Sequence, residues 1–522
     1  MRRNNNYTKP SDAAQSLARR AFFVMLAVLL TAAITLLSGC EDKPSGNSTP
    51  AGDATPTAVP TNAPVTVDPD ARAVTLDFAK THQTIDGFGA GFTWYSELLF
   101  RLKDPAEGLD LLFKDAGFTI LRFKNELGYS SGGAMGKARI DKAYYDAASE
   151  RAKARGEEVK VLYSSWSPQA NLKSNKRIEG GGTLAKNADG TYVYSQFAKW
   201  WTDAVSLYRS QGIPVDYVSI QNECDFVASY DGCEFSATET ETHASYGEAF
   251  LATYRSFRDN FGENAPLMIA PETMTVDSST LKSYLSPILA AEPNSVYAVA
   301  HHLYLGGESS DDPNECAPDS FLMNFMGVKN FAAKSNLRKW QTEFYRGTAL
   351  QTANVVNNSL VYEDANAYIF WGGVWVANQT DGMDNGNLII VGNPSAGWPT
   401  EKGYLATGNY YAMRHFSQFI RPGYIRIDSG ITGGTTVRAS AFVSPDGNTV
   451  VIVLLNNETS PVKVQLPLDN FTVNSSAAYQ SVFTKGYTAD MCYKELGALD
   501  ADRVLPLPGE SVTTIVLQGT AK

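Results

Sequence analysis

The sequence predicts a (β/α)8 barrel joined to an antiparallel β-sandwich. Eight short apolar or β-branched runs alternate with amphipathic stretches of helix length, which is the pattern of a parallel sheet covered by helices. After about residue 416 the pattern changes to alternating strands separated by turns such as Asp446-Gly447-Asn448. The chain has 522 residues, 43% of them hydrophobic, which is enough for a barrel of about 250 residues and a second domain.

The first 40 residues have the composition of an export signal. Four arginines precede an apolar run over residues 21–37, and this run ends in Leu37-Ser-Gly-Cys40. The motif resembles the lipobox of bacterial lipoproteins, so we expect residues 1–40 to be the signal and Cys40 to carry the lipid. An ordinary signal peptide and an uncleaved anchor helix are the alternatives. The predicted location is membrane-anchored and exported, on a periplasmic face or at the cell surface.

Residues 41–67 are rich in Ser, Thr, Pro, Ala and Gly and nearly lack large apolar side chains, so we expect an unfolded tether. After export, Cys224, Cys233, Cys316 and Cys492 meet oxidising conditions, in which four cysteines allow three connectivities. We expect Cys224 and Cys233, which flank a short loop, to form a disulfide. Buried free thiols are the alternative.

The barrel is predicted over residues 84–415. One of its helices is expected at Ser195–Gln211, where large apolar residues recur at steps of three and four. The eight predicted strands are Ile85–Gly91, Ile120–Phe123, Val159–Ser164, Tyr217–Gln221, Leu267–Glu272, Val299–Tyr304, Lys339–Thr342 and Ala367–Trp371.

The sandwich is predicted over residues 416–522 together with residues 68–83. Strands with alternating side chains are expected at Thr436–Val443, Thr449–Leu455, Val462–Leu466 and Val512–Leu517. The segment Ala73–Phe78 also has the pattern of a strand. We expect it to join the sandwich, which ties the two ends of the folded chain together.

Two glutamates follow barrel strands. Glu223 ends the fourth apolar run and Glu343 ends the seventh. In a (β/α)8 barrel the active site lies at the carboxyl ends of the strands, and strands four and seven lie across the ring from each other. A glutamate taken at random is more often a surface or capping carboxylate. Two facing carboxylates, however, are what glycoside hydrolysis requires, because one protonates the leaving oxygen and the other attacks the anomeric carbon.

Charge and composition exclude several other classes. The formal net charge of −11 is unsuited to nucleic acid, which is bound by basic patches. Five histidines with no His-Glu-x-x-His motif and no clustered Cys/His spacing argue against a metal site. Gly87-Phe-Gly-Ala-Gly91 lacks the glycine spacing of a dinucleotide-binding loop. We therefore expect no cofactor, no metal and no nucleic-acid partner.

From Gln83 to Leu517 the chain resembles glycoside hydrolase family 30. The resemblance implies a retaining enzyme with a barrel and an attached sandwich, in which Glu223 is the general acid/base and Glu343 the nucleophile. The segments that carry it are Gln83-Thr-Ile-Asp-Gly-Phe-Gly89, Ser164-Ser-Trp-Ser-Pro168, Val218-Ser-Ile-Gln-Asn-Glu223, His301-His-Leu-Tyr304, Gln341-Thr-Glu343 and Phe416-Ser-Gln-Phe-Ile-Arg-Pro-Gly423.

Substrate contacts are expected from residues at the same strand ends. Asn222 lies beside Glu223, where an amide can hold the sugar 2-hydroxyl. Of two adjacent histidines only one can face the site, and His302 is favoured because it lies two residues before Tyr304. Arg122 orients a carboxylate, binds substrate or forms a structural ion pair. Aromatic side chains that stack on sugar rings, or else belong to the core, are expected at Trp94, Trp166, Tyr304, Tyr345, Trp371 and Trp375.

Within the family, the chain looks most like the branch that cleaves xylan, so endo-β-1,4-xylanase activity is predicted. Members that require glucuronate on xylan carry an arginine in a longer loop after the nucleophile; this chain has only Arg346 in the short segment Phe344-Tyr-Arg-Gly347, which leaves a dependence on glucuronate open. Cys224 stands where the family commonly has proline. β-1,6-Glucan, β-1,6-galactan and glucosylceramide-like substrates are the alternatives, and a non-hydrolytic carbohydrate-binding lipoprotein is a further one.

Overall fold

The computed structural model describes residues 65–130, 133–304, 317–377, 382–392 and 402–521. These residues form a closed parallel barrel, a large curled sheet and a small three-stranded sheet. The predicted signal with Cys40, most of the predicted tether and Cys316 lie outside the described residues. Within the described ranges, no helix combines the length and the hydropathy needed to cross a bilayer.

The predicted barrel is confirmed. The first strand, β1 (Arg72–Thr84), belongs to the large sheet, and the next eight strands form the barrel in chain order, each parallel to its neighbours. Pairing of the last barrel strand with the first closes the ring. These strands are β2 (Gly87–Gly91), β3 (Ile120–Lys124), β4 (Lys160–Ser164), β5 (Tyr217–Ser219), β6 (Leu267–Thr273), β7 (Ala298–His302), β8 (Arg338–Glu343) and β9 (Ala367–Gly372).

The helices that follow the barrel strands have the period expected for a covering layer. The predicted helix at Ser195–Gln211 is observed at Tyr194–Ser210, and its apolar side chains are buried at steps of three and four. Side chains of Ser245 and Thr348 cap two other helices. The helices are α1 (Pro105–Asp110), α2 (Gly133–Lys153), α3 (Tyr194–Ser210), α4 (Tyr246–Phe261), α5 (Ser278–Ala291), α6 (Leu322–Lys334), α7 (Ala349–Asn358) and α8 (Gly408–Ser417).

Shorter elements complete the barrel. A small sheet lies beyond β9 and consists of β10 (Val374–Ala377), β11 (Ile389–Gly392) and β12 (Tyr404–Ala406). Two π-helical turns are present at Leu111–Asp115 and Ser359–Glu363. Short 3₁₀ turns occur at Ser96–Arg101, Ala170–Leu172, Gly262–Asn264, Pro318–Phe321 and Ala489–Met491.

The inside of the barrel is filled near the amino ends of its strands. Trp340 is fully buried there together with Ile120, Leu162 and Ile269. The indole nitrogen of Trp340 donates to a carboxylate oxygen of Asp86 at 2.8 Å. Because these side chains fill the amino end, the barrel is open at the carboxyl ends of its strands. This is the end at which a barrel of this type has its active site.

The second sheet has nine strands in the order β18-β17-β20-β15-β14-β13-β1-β16-β19. β1 pairs antiparallel with β13 and parallel with β16, so it joins the two halves of the sheet. One hydrophobic core contains Val464 and Leu507 from one half and Ile452 and Ile515 from the other, as in a sandwich. The strands are β13 (Ile425–Ile431), β14 (Val437–Val443), β15 (Thr449–Asn456), β16 (Val462–Gln465), β17 (Phe471–Val482), β18 (Lys494–Gly497), β19 (Val504–Leu507) and β20 (Ser511–Ala521).

A buried histidine connects α8 to this sheet. His415 is completely buried, and its two ring nitrogens lie 2.9 Å from Thr514 Oγ1 and 2.8 Å from Ser481 Oγ. Burial lowers the pKa of His415 to about 3, with a further contribution from the nearby charge of Arg414. His415 is therefore neutral in the folded protein.

Candidate active site

The two predicted carboxylates meet at the open end of the barrel. Glu343 is the last residue of β8, and Glu223 follows β5 in a left-handed turn with φ of 48°. Both residues are largely buried, with exposed fractions of 5% for Glu223 and 6% for Glu343. One carboxylate oxygen of each lies within 4.8 Å of the other. Retaining glycosidases place their carboxyl groups about 5–5.5 Å apart, whereas inverting enzymes need about 6.5–9.5 Å to fit a water molecule.

Arg122, the central residue of β3, supplies a fixed positive charge to this pair. Its Nη1 lies 2.6 Å from Glu343 Oε2, and its Nη2 lies 3.0 Å from Glu272 Oε1. The same Nη2 donates to Asn222 Oδ1 at 2.6 Å. Arg122 is fully buried, so of the roles expected for it the structure supports the orientation of carboxylates.

His302 lies between the two catalytic candidates. Its Nδ1 is 2.9 Å from Glu223 Oε1, and its Nε2 is 3.9 Å from Glu343 Oε2. Burial lowers the pKa of His302, but Glu343, Glu223 and Glu272 together raise it to about 9. His301 points to the outer side of the strand, where its Nε2 lies 2.7 Å from Glu363 Oε1. The structure thus brings His302, and not His301, to the predicted site.

Each candidate carboxylate also accepts a hydrogen bond from a tyrosine hydroxyl group. Tyr304 donates to Glu343 Oε1 at 3.1 Å, and Tyr230 donates to Glu223 Oε2 at 3.2 Å. Burial raises the pKa of Tyr304 well above its ordinary value, so it remains a donor. Tyr304 was expected as a sugar platform, and its hydroxyl is directed at Glu343. Tyr230 was not singled out, although its segment directly follows Glu223.

The electrostatic setting of Glu343 is a balance of burial and neighbouring charges. Burial raises the pKa of Glu343 above its ordinary 4.5, and the charge of Glu223 acts in the same direction. His302 and Arg122 lower it, but not enough to restore the ordinary value. Arg122 contacts Glu343 and not Glu223, which favours the charged form on Glu343.

An aromatic wall surrounds the pair, and Trp94 is at its centre. Trp94 makes edge-to-face contacts with Trp166 and Trp371, with ring centroids 5.6 and 5.7 Å away. Trp375 is 6.4 Å from Trp94 in the same geometry. Trp166 and Trp371 are nearly buried, whereas Trp94 is half-buried. Tyr345 is half-buried beside Tyr304, at 5.8 Å between centroids. The structure therefore gathers all of the predicted aromatic residues around one site.

A buried ion pair supports this wall and was missed by sequence reasoning. Lys124, the last residue of β3, pairs with Asp231 in the segment that carries Tyr230. The ammonium of Lys124 also lies 4.3 Å from the centre of the Trp94 ring, a cation–π distance. Lys124 closes an apolar run, and this signal was available, but its partner in a distant loop was not visible in the sequence.

Glu272 is a third carboxylate at the site that sequence reasoning did not single out. It closes a predicted strand run, as Glu223 and Glu343 do, and it is fully buried. Its Oε1 accepts a hydrogen bond from Ser164 Oγ at 3.3 Å. The sequence signal, a glutamate at the carboxyl end of a strand run, was therefore the same for all three glutamates.

The predicted disulfide between Cys224 and Cys233 is wrong, because both are buried free thiols in the structure. The Cys224 Sγ is directed at the carbonyl oxygen of Pro271 on β6, 3.6 Å away. Burial raises the pKa of both thiols, that of Cys233 to about 12. Backbone hydrogen bonds hold the loop instead, including one from Phe235 N to the Cys224 carbonyl.

Glu223, His302 and Glu343 offer three donor atoms within 4.8 Å of one another, a spacing that suits a metal ion. The charges around them do not suit one. Arg122 already lies against Glu343 Oε2, and His302 carries a proton below a pKa of about 9. A divalent ion would therefore meet two cations, and the donors serve the charge balance of the site itself.

Comparisons with known proteins concern the family and the fold. Residues 424–515 match the model of the glycosyl hydrolase family 30 beta sandwich domain. The chain is 24% identical to glucuronoxylanase XynC of Bacillus subtilis (strain 168), over 86% of this chain and 92% of that protein. It is 22% identical to putative glucosylceramidase 1 of Caenorhabditis elegans, with 73% and 75% covered. It is 24% identical to an endo-1,6-beta-D-glucanase of Neurospora crassa, with 76% and 84% covered.

The solved catalytic domain of GH30 xylanase C from Talaromyces cellulolyticus has the same fold. It superposes with a TM-score of 0.64 at 19% identity, over 85% of this chain and all of that one. The likeness thus extends over the barrel as well as the matched sandwich. The chain thus carries the glycoside hydrolase family 30 sandwich domain at residues 424–515, and it shares the fold of a family 30 catalytic domain over 85% of its length.

Proposed function

We propose that the protein is an endo-β-1,4-xylanase that hydrolyses xylan or glucuronoxylan with retention of anomeric configuration. The observation that carries the retaining mechanism is the approach of Glu223 and Glu343 oxygens to within 4.8 Å. This spacing leaves no room for a water molecule between the sugar and the second carboxylate, so that carboxylate attacks the sugar itself.

In the first step Glu343 is the nucleophile. One of its oxygens forms a bond to the anomeric carbon while the bond from that carbon to the leaving oxygen breaks. Glu223 gives its proton to the leaving oxygen. Arg122 and Tyr304 hold Glu343 in place for the attack, because each donates a hydrogen bond to one of its carboxylate oxygens.

In the second step water replaces the enzyme on the sugar. Glu223, now a carboxylate, takes a proton from the water as the water oxygen bonds to the anomeric carbon and the bond to Glu343 breaks. Two inversions give net retention. Asn222 assists, because Arg122 holds its Oδ1 and its amide nitrogen is left to donate to the sugar 2-hydroxyl.

The choice of xylan draws on the relatives and on the aromatic wall. The glucuronoxylanase XynC of Bacillus subtilis is similar over most of its length. Trp94 is half-buried and is held by edge contacts with Trp166 and Trp371, so it is the aromatic side chain best suited to stack on a sugar ring. Arg346 lies 5.4 Å from the centre of the Tyr304 ring, next to the nucleophile, and is our candidate contact for a glucuronate carboxylate.

Product analysis of the purified protein tests the proposal. Linear β-1,4-xylooligosaccharides, glucuronoxylan, β-1,6-glucan and β-1,6-galactan are compared, and the anomer first released is identified by ¹H NMR. Glu343→Gln should lower kcat by about a thousandfold or more, whereas Glu363→Gln, a buried glutamate outside the site, should not. Release of the β-anomer from either xylan substrate supports the proposal. An absence of xylan cleavage overturns the substrate, and release of the α-anomer overturns the mechanism.

β-1,6-Glucan is the second candidate substrate. The Neurospora crassa endo-1,6-beta-D-glucanase is as similar in identity as the Bacillus protein, at 24%. Cys224 in place of the proline common after Asn-Glu in the family alters the wall directly after Glu223. Cleavage of β-1,6-glucan without xylan cleavage would select this candidate.

Export and lipid anchoring are a further proposal, based on the Leu37-Ser-Gly-Cys40 motif. We expect the protein to be modified at Cys40 and held at a membrane by the lipid alone. Metabolic labelling with a fatty acid in a bacterial host should mark the wild type and not Cys40→Ser. Equal labelling of both would contradict the proposal.

A further inference from the structure

Glu272 lies behind the two catalytic candidates and does not reach the open site. It is the penultimate residue of β6, and no part of its side chain is exposed. Its Oε1 is 3.0 Å from Arg122 Nη2 and 3.8 Å from His302 Nε2. A carboxylate in this position cannot touch a sugar, but it can act on the groups that do.

Both cations that contact Glu272 also contact the catalytic pair. Arg122 bonds Glu343 at 2.6 Å, and His302 bonds Glu223 at 2.9 Å. Glu272 therefore contacts both Arg122, which binds the nucleophile, and His302, which binds the acid/base. Burial raises the pKa of Glu272, but Arg122 and His302 outweigh burial and lower it to about 2.

The backbone of Glu272 is coupled to Glu223 as well. Glu272 has φ of 60° and Glu223 has φ of 48°, a left-handed conformation that is uncommon for residues with a side chain. The Glu223 amide donates to the Glu272 carbonyl at 2.9 Å. Such conformations persist where the surroundings enforce them, and here the surroundings are the contacts of the two side chains.

We propose that Glu272 is a positioning residue that holds Arg122 and His302 against the catalytic pair and keeps the buried cluster electrically neutral while Glu223 is protonated. The proposal rests on the proposed function. With a proton on Glu223, the cluster contains two positive groups, Arg122 and His302, and two negative groups, Glu272 and Glu343. Neutrality of this kind is what a buried set of charges requires.

Removal of the Glu272 charge has a definite consequence. The cluster would then carry a net positive charge in the reactive state, so His302 would release its proton at a lower pH. Loss of that proton removes the positive group that contacts Glu223. Among the described residues, the titratable or charged groups that face Glu272, His302 or the catalytic pair are Arg122, Glu223, Asp225, Tyr230, Cys224, Tyr246, Tyr304 and Glu343.

The test is the pH profile of kcat/KM for Glu272→Gln in the full-length protein. Its alkaline limb should move at least about one pH unit lower than in the wild type, and kcat should fall more than KM changes. Glu363→Gln is the matched control, because it removes a buried carboxylate from His301, the neighbour of His302 on the same strand. That control should leave the alkaline limb in place. If Glu272→Gln lowers kcat/KM at every pH but leaves the midpoint of the alkaline limb unchanged, the proposal is overturned.

Glu272→Asp covers the case in which Glu272→Gln does not fold. The aspartate keeps the negative charge but is shorter by one methylene, so the charge lies further from Arg122 and His302. The alkaline limb should therefore stay at the wild-type pH while kcat falls about tenfold. Full kcat in Glu272→Asp would contradict the positioning role.

A readout without catalysis separates this proposal from the proposed function. The His302 imidazole, assigned by comparison with His302→Asn, is titrated by NMR in the wild type and the Glu272 variants. If the wild type cleaves no glycan, the proposed function fails, while a lower His302 midpoint in Glu272→Gln still supports the link. An unchanged His302 midpoint overturns it.

Discussion

At the residue scale, Glu223 and Glu343 differ in the positive group that each one meets. Glu343 contacts the guanidinium of Arg122, which keeps its charge at any pH the protein survives. Glu223 contacts His302, whose own proton depends on the carboxylates around it. Two like residues are thus given different tasks by their neighbours, because a permanent cation favours a charged nucleophile.

The raised pKa of Glu343 predicts where activity is lost in acid. The nucleophile must be ionised, so kcat/KM should fall as the pH drops through the pKa of Glu343, with a midpoint above 4.5. Tyr304→Phe removes a donor to the charged carboxylate and should raise this midpoint further, by up to about one pH unit. Initial rates from pH 3.5 to 7 measure both. A wild-type midpoint at or below 4.5 would contradict the assignment.

At the element scale, the barrel strands were predictable because each contains a short apolar or β-branched run. β17 (Phe471–Val482) was not predicted, since its middle is Asn474-Ser-Ser-Ala-Ala478 and a bulge between Val473 and Ser475 breaks its alternation. The strand ends gave Glu223 and Glu343 but not the roles of Glu272 and Lys124. A strand end shows that a side chain lies near the open end, but its partners come from other strands and loops.

The buried ion pair of Lys124 and Asp231 is one of the contacts that hold the segment after β5, and it gives a second prediction. Lys124→Met should free Asp231 and loosen the segment that presents Tyr230 to Glu223. We expect kcat to fall about tenfold or more, because an unpaired buried Asp231 is costly and the acid/base loses an ordered donor.

Hydrogen exchange over residues 226–234 measures the loosening directly. Lys199→Met, which removes an exposed pair with Asp203 on α3, is the control and should change neither exchange nor kcat. Unchanged exchange in Lys124→Met would show that the ion pair does not hold the segment.

At the scale of the whole molecule, the sandwich is connected to the barrel both before the first barrel strand and after the last one. β1 precedes the barrel and pairs with strands that follow it, and α8 contacts the sheet through His415. The sequence predicted β1 from its alternation but not the role of His415, because a histidine on a buried helix face gives no sign of its partners.

His415 predicts a loss of stability in acid. Its folded pKa of about 3 lies below the ordinary 6.5, so the unfolded chain binds the proton first and stability falls as the pH drops from 6.5 toward 3. At pH 4 the cost is about 3 kcal/mol in the free energy of unfolding. His415→Asn, compared by urea unfolding at pH 7 and pH 4, should lose less stability between the two conditions than the wild type. An equal loss would contradict the assignment.

β1 also sets an order for folding. It is the first strand of the described chain to be synthesised, yet its partners β13 and β16 are made only after the entire barrel. Until then its main-chain hydrogen-bonding groups have no strand to pair with, which is the condition under which strand edges aggregate. The sandwich cannot close before the carboxyl-terminal strands emerge. Completion of the fold therefore waits for the last part of the chain, and a protein truncated before β13 would leave β1 without either of its strand partners.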